Sequence, residues 1–74
     1  MEEIKVLIAD DELPVREELA AFPWAKYTCR IVGEARNGKE ALQLCAELHP
    51  NMIITDLAMP IMNGIELAEK LRVY

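Results

Sequence analysis

Asp10, Asp11 and Glu12 are consecutive near the start of the chain, and Asp56 stands apart from them far downstream. Carboxylates offer hard oxygen donors. Several of them in one small site repel, and the repulsion is costly unless a proton or a cation relieves it. With no His or Cys in the set, the cation that suits such a site is magnesium or manganese. A blander reading exists for the same residues. An acidic run at a helix start is favoured by the helix dipole, and Asp56 taken alone could be an ordinary loop aspartate. The two readings separate on one question: whether the surrounding elements bring Asp10, Asp11 and Asp56 to the same place.

Ile4-Lys5-Val6-Leu7-Ile8-Ala9 is almost continuously apolar and branched, which predicts a strand buried on both faces. Lys5 lies near its start, where a charge reaches solvent. From about Pro14 to Phe22, the residues Val15, Leu19 and Phe22 fall on one helical face, with Arg16, Glu17 and Glu18 on the opposite side. Pro14 suits the first helical turn, and Pro23 forbids continuation. Trp24 to Cys29 reads as a loop, and Arg30 to Ala35 as a second strand, whose Glu34 suggests a sheet edge. Asn37 has the character of a helix N-cap, with Glu40 in a capping-box-like position. Ala41, Cys45 and Leu48 form that helix's apolar stripe, and Pro50 ends it. Met52-Ile53-Ile54-Thr55 predicts a third buried strand. Asn63 and Glu66 repeat the cap pattern, and Leu67 and Leu71 set a last helix reaching Tyr74.

Alternating strands and helices imply parallel pairing through right-handed crossovers. In open parallel sheets, functional groups collect beyond the carboxyl ends of strands, at the point where strand order reverses. If the first strand is central, Asp10, Asp11 and Asp56 converge there. That prediction lowers the weight of the blander reading.

Composition excludes much else. The chain has 74 residues with 8 Lys plus Arg against 13 Asp plus Glu, a net charge of −5. This acidic balance argues against a nucleic-acid surface, which needs clustered Lys and Arg. A hydrophobic fraction of 53% argues against a disordered tail. No apolar run approaches the ~20 residues that span a bilayer, and the N-terminus lacks a secretory signal pattern. A cytoplasmic location is expected. Gly38-Lys39 lacks the upstream glycine of a phosphate-binding loop. His49, beside Pro50, reads as a solvated residue at a helix end. No Cys–His or Ser–His pairing points to nucleophilic catalysis. Cys29 and Cys45 read as small apolar residues, with a disulfide between them left open.

The run Asp56-Leu57-Ala58-Met59-Pro60-Ile61-Met62-Asn63-Gly64 closely resembles the phosphoacceptor segment of bacterial two-component response regulator receiver domains. Val6-Leu7-Ile8-Ala9-Asp10-Asp11-Glu12 resembles the acidic-pocket strand of the same family. Val32 to Leu42 resembles its second strand and helix. Pro23-Trp24 followed by Ile31-Val32-Gly33-Glu34-Ala35 is similar to receivers attached to AraC-type DNA-binding domains. The resemblance implies a flavodoxin-like α/β fold whose full sheet is ordered 2-1-3-4-5, with the first three βα units (order 2-1-3) in this chain. It also implies that Asp56 accepts a phosphoryl group from a sensor histidine kinase in a phosphorelay. Mg2+ would be bound directly by Asp11, mainly through water by Asp10, and by Asp56 and the Ala58 backbone carbonyl. Met59-Pro60 and Asn63-Gly64 would shape the following loop, with Glu12 at the pocket's edge.

One departure is large. The family's switch Thr or Ser and its phosphate-pairing Lys would fall beyond Tyr74, and Lys5, Lys26, Lys39 and Lys70 stand at the wrong places to substitute. Residues 1–74 are therefore expected to be the N-terminal portion of a receiver domain, without its fourth and fifth βα units or any output domain. The expected function is that of a phosphoacceptor module, not a turnover enzyme. Two other functions compete with it. One is a non-switching interaction fragment that self-associates, or swaps domains, through the open edge of its third strand. The other is a Mg2+-dependent phosphohydrolase using an aspartyl phosphate, for which Asp10-Asp11-Glu12 poorly matches the usual Asp-x-Asp pattern.

Overall fold

The computed structural model describes residues 3–56 and residue 65. Strand β1 (Ile4–Ala9) leads to helix α1 (Leu13–Ala20), a short 3-10 turn (Trp24–Tyr27), strand β2 (Cys29–Ala35), helix α2 (Gly38–Leu48) and strand β3 (Met52–Thr55). Of the last predicted helix, from Asn63 to Tyr74, Ile65 is described and is helical and exposed; the rest lies outside the described residues.

The strands form one sheet ordered β2-β1-β3, and both pairings of β1 are parallel. This is the order expected from the sequence. Strand β1 is central because it is the most apolar. Val6, Leu7 and Ile8 are 0% exposed, and burying each such side chain contributes about 1.5–3 kcal/mol. The first crossover runs one way from β1 and the second runs back past it. With right-handed crossovers, α1 and α2 then cover opposite faces of the sheet.

The core under α2 is built from Leu7, Ala9, Ala35 and Ala41, with Leu42, Leu44, Cys45 and Ile53 packed around it. Gly33 makes this close approach possible. A Cβ there would stand 3.0 Å from Leu48 Cδ1 and 3.2 Å from Leu7 Cδ1. The β1–β2 register slips at this point: Val6 pairs with Ile31 but Leu7 pairs with Gly33, so Val32 is the extra residue of a bulge. At the other end of the sheet, Asn51 ties β3 to β1 in both directions. Its N–H donates to Lys5 O at 2.8 Å, and its Oδ1 accepts from Lys5 N–H at 2.8 Å. Lys5 Nζ donates to Leu48 O at 2.9 Å, satisfying a carbonyl at the end of α2. His49 caps that end in the left-handed region at φ 49° and is exposed, as expected of a solvated helix-end residue. Cys29 and Cys45 are free thiols, and burial raises the Cys45 pKa.

Three local expectations need correction. Helix α1 ends at Ala20, so Phe22 is not on its core face but 45% exposed. Phe22 instead meets the Trp24 ring edge-on at 4.9 Å and stacks on Tyr27 at 5.7 Å. The expected loop from Trp24 contains a 3-10 turn, held by Trp24 Nε1 donating to Leu19 O at 2.7 Å. Arg16, placed on the solvent side by its charge, is 8% exposed.

Asn37 does cap α2: its Oδ1 accepts from Glu40 N–H at 2.8 Å. The Glu40 carboxylate, however, reaches one residue further back than a capping box. It accepts from Arg36 N–H at 3.1 Å and from the Arg36 guanidinium at 3.2 and 3.3 Å. The Arg36 N–H, and secondarily its guanidinium, lower the Glu40 pKa below the ordinary value of 4.5, against the opposing effect of burial. A carboxylate with a lowered folded-state pKa contributes stability at pH above its unfolded value, and loses it as pH falls through the folded value. Glu40→Gln is therefore expected to cost stability at neutral pH. The gap between wild type and variant should stay constant down to the ordinary Glu range and close below it. Urea unfolding across pH 7 to 3 measures this, and a gap independent of pH contradicts it.

Candidate acidic phosphoacceptor site

The sheet's ladder does not stop at its last strand residues. Asp10 N–H donates to Ala35 O and Asp56 N–H donates to Ala9 O, each at 3.0 Å. The backbone bonds that finish the sheet therefore also fix the first residue after β1 and the first after β3. Parallel pairing makes these two ends neighbours, since Ala9 is in register with both Ala35 and Thr55.

Asp10, Asp11 and Asp56 consequently meet. Each offers a carboxylate oxygen, and these atoms all lie within 4.8 Å of one another. Asp10 is nearly buried at 9% exposure, Asp56 is half-buried and Asp11 is exposed. Of the sequence's candidates, these three are brought together, while Ala58 lies outside the described residues. The acidic-helix-start reading fits less well. Helix α1 begins only at Leu13, and its first turn holds no acidic residue. It survives in one detail: Asp10 Oδ1 accepts from Glu12 N–H at 2.9 Å, which leaves Glu12 beside the cluster as the N-cap position of α1.

Two unit charges 4 Å apart repel by roughly 1–4 kcal/mol at effective dielectric constants from water to a protein surface. A small hard dication answers that repulsion, and the donor set suits one, being oxygen only. Asp10, Asp11 and Asp56, with carboxylate oxygens within 4.8 Å of one another, would hold such an ion through oxygen donors alone.

Arg16 is the residue at the site that sequence reasoning missed. Its Nη1 donates to the Asp10 backbone carbonyl at 2.7 Å, and its Nε lies 3.7 Å from Glu34 Oε1. A buried hydrogen bond from a charged donor is worth about 1.5–3 kcal/mol. The Glu34 carboxylate is 39% exposed, and such a pair contributes only ~0–1 kcal/mol. The carbonyl bond is thus the stronger anchor. One signal was available: Arg16 and Leu19 are three apart on α1, hence on one face.

The fold and site define a class: a doubly wound α/β protein with an acidic cluster at the switch point of its sheet. The response regulator receiver domain model matches residues 6–74. The chain belongs to that family. It is 46% identical over 68 residues to the transcriptional regulatory protein YdfI of Bacillus subtilis, covering 92% of this chain and 32% of that protein. It is 40% identical over 74 residues to a protein-glutamate methylesterase/protein-glutamine glutaminase of Methanococcus maripaludis, covering 100% of this chain and 20% of that protein. Among solved structures it resembles a two component transcriptional regulator AraC from Clostridium phytofermentans, at 35% identity and a TM-score of 0.86 over 97% of this chain and 60% of that one. The chain thus spans about a third or less of the length of these curated relatives. No helix among the described residues is long and apolar enough to cross a membrane.

Neutralising one carboxylate relieves part of the repulsion in the metal-free protein. Asp11→Asn is the informative change, because Asp11 is exposed and asparagine keeps its size. It is expected to raise metal-free stability by up to ~1 kcal/mol, read as a higher urea midpoint in EDTA. Loss of stability instead would mean that the Asp11 carboxylate supports the fold.

Proposed function

We propose that this chain is the phosphoacceptor part of a receiver domain in two-component phosphorelay signalling. In this reading a sensor histidine kinase supplies the phosphoryl group, and an Asp56 carboxylate oxygen attacks phosphorus as the nitrogen–phosphorus bond of the donor breaks. The product is an acyl phosphate on Asp56. The observation that carries the reading is the meeting of Asp10, Asp11 and Asp56 within 4.8 Å at the carboxyl ends of β1 and β3. Mg2+ held by Asp10, Asp11, Asp56 and the Ala58 carbonyl would neutralise charge on the transferring phosphoryl oxygens. The chain's own contribution is positional: the Asp56 N–H bond to Ala9 O fixes the backbone from which the acceptor side chain extends.

The same reading makes the protein a signalling module and not a turnover enzyme, acting in the cytoplasm. It makes residues 1–74 the N-terminal portion of a receiver, with the later βα units and an output domain lying outside this sequence. An AraC-type DNA-binding output, and so transcription regulation, is favoured by the likeness to the Clostridium regulator.

The test is phosphorylation by a small donor, acetyl phosphate, with Mg2+. Intact mass should rise by one phosphoryl group that hydroxylamine removes, and Asp56→Asn should abolish the change. Yield should be lower than in a C-terminally extended protein that supplies the family's Lys. Unchanged labelling of Asp56→Asn overturns the assignment.

A second reading concerns association. Among the described residues β3 pairs only with β1, and Met52 on it is 43% exposed. An apolar strand at a sheet edge recruits another strand where nothing covers it, here from a second copy of this chain. Sedimentation equilibrium of the 74-residue protein is expected to show dimers or larger species. A folded monomer at all concentrations excludes this.

A further inference from the structure

We propose that Arg16 is a positioning residue for the acidic site, acting through the Asp10–Asp11 peptide group. The inference rests on the reading of Asp10, Asp11 and Asp56 as a magnesium site. Asp10 is restrained at every polar group it has. Its N–H donates to Ala35 O at 3.0 Å, its Oδ1 accepts from Glu12 N–H at 2.9 Å, and its carbonyl accepts from Arg16 Nη1 at 2.7 Å. The last bond is the one that matters for Asp11. The Asp10 carbonyl and the Asp11 N–H belong to one planar amide. Whatever holds that carbonyl restrains the plane, and the plane places the N–Cα bond of Asp11 from which, with its φ, the side chain leaves the backbone.

Asp11 depends on this because it is exposed and is not gripped by surrounding packing. Arg16 can do the holding because it is itself held. It is 8% exposed and sits on α1, while its Nε is drawn to Glu34 Oε1 on β2 at 3.7 Å. One guanidinium therefore joins α1, the β1–α1 connection and β2 at the rim of the cluster. Magnesium demands near-ideal octahedral placement of its oxygens, so a small rotation of the Asp10–Asp11 amide is enough to weaken binding. Outer partners that orient metal ligands commonly matter by about 10- to 100-fold in affinity.

The test is Mg2+ affinity measured by calorimetry on the 74-residue protein, beside metal-free thermal unfolding followed by circular dichroism. Arg16→Met should weaken Mg2+ binding about tenfold in the folded protein. Arg16→Lys keeps the charge and stem but loses the fork that spans both acceptors, and should weaken it about threefold. Glu34→Gln should change it less than about twofold, because that ion pair is the weaker anchor. A purely structural Arg16 would lower the unfolding midpoint and leave affinity alone. Wild-type affinity in folded Arg16→Lys overturns the assignment, whether or not Arg16→Met folds. Asp11→Asn separates the two levels. If Asp11→Asn weakens binding and the Arg16 variants do not, the role of Arg16 fails and the magnesium reading stands. If Asp11→Asn binds as wild type does, the magnesium reading fails and the role of Arg16 with it.

Discussion

Strand β1 lies between two parallel partners, and the site depends on that placement. Val6 to Ala9 are at most 1% exposed, so β1 has no competing edge position that would leave its side chains buried. Parallel pairing on both sides aligns three carboxyl ends in one row. The ladder then runs one residue past the sheet on each side, through Asp10 N–H to Ala35 O and Asp56 N–H to Ala9 O. No loop has to be folded correctly to bring Asp10 and Asp56 together. The same hydrogen bonds that terminate the sheet do it, which makes the backbone placement of Asp10 and Asp56 as robust as the pairing of the strands.

That economy works against the fold in another respect. Apolar burial brings like charges to one end of the sheet, where they repel unless a cation screens them. Features elsewhere offset that repulsion. Asn37 and Glu40 satisfy N–H groups at the start of α2. Lys5 and Asn51 close the opposite end of the β1–β3 pair. Gly33 lets α2 settle closely on the sheet, with Leu48 and Leu7 filling the place a Cβ would take. These contacts lie away from the cluster, where a cation would relieve the repulsion of neighbouring carboxylates.

The sequence was most legible where apolar residues run through a whole segment. Ile4–Ala9 and Met52–Thr55 are such runs between turn signals, and both are strands, although β3 is only partly buried and its Met52 is exposed. Asn37 is a cap because the bond it makes is local, to Glu40 N–H. The strand-end position of Asp10 and Asp56 followed from topology alone. What was illegible depends on distant partners. A helical wheel ranks Arg16 by its charge and puts it in water, yet a long side chain with a carbonyl in reach at a strand end can be buried and satisfied. Phe22 fits an apolar spacing, but the helix had already ended at Ala20, and an aromatic cluster took the ring. The bulge at Val32 shifts register between Val6 and Leu7, and nothing in a run of Ile, Val and Gly marks which residue is extra.

The two readings offered by Asp10 at the outset turn out not to compete. Its Oδ1 accepts from Glu12 N–H, which orders the chain entering α1, so part of the residue does serve the helix start. That leaves the second oxygen for the cluster. Asp11 is the opposite case, exposed and oriented only through the backbone. Adjacent aspartates therefore differ in kind: one is fixed and partly committed, the other is free to adjust. Asp11 leaves the backbone at the Asp10–Asp11 amide, whose carbonyl accepts from Arg16 Nη1 at 2.7 Å, so an exposed carboxylate is tied through the backbone to an arginine that is 8% exposed.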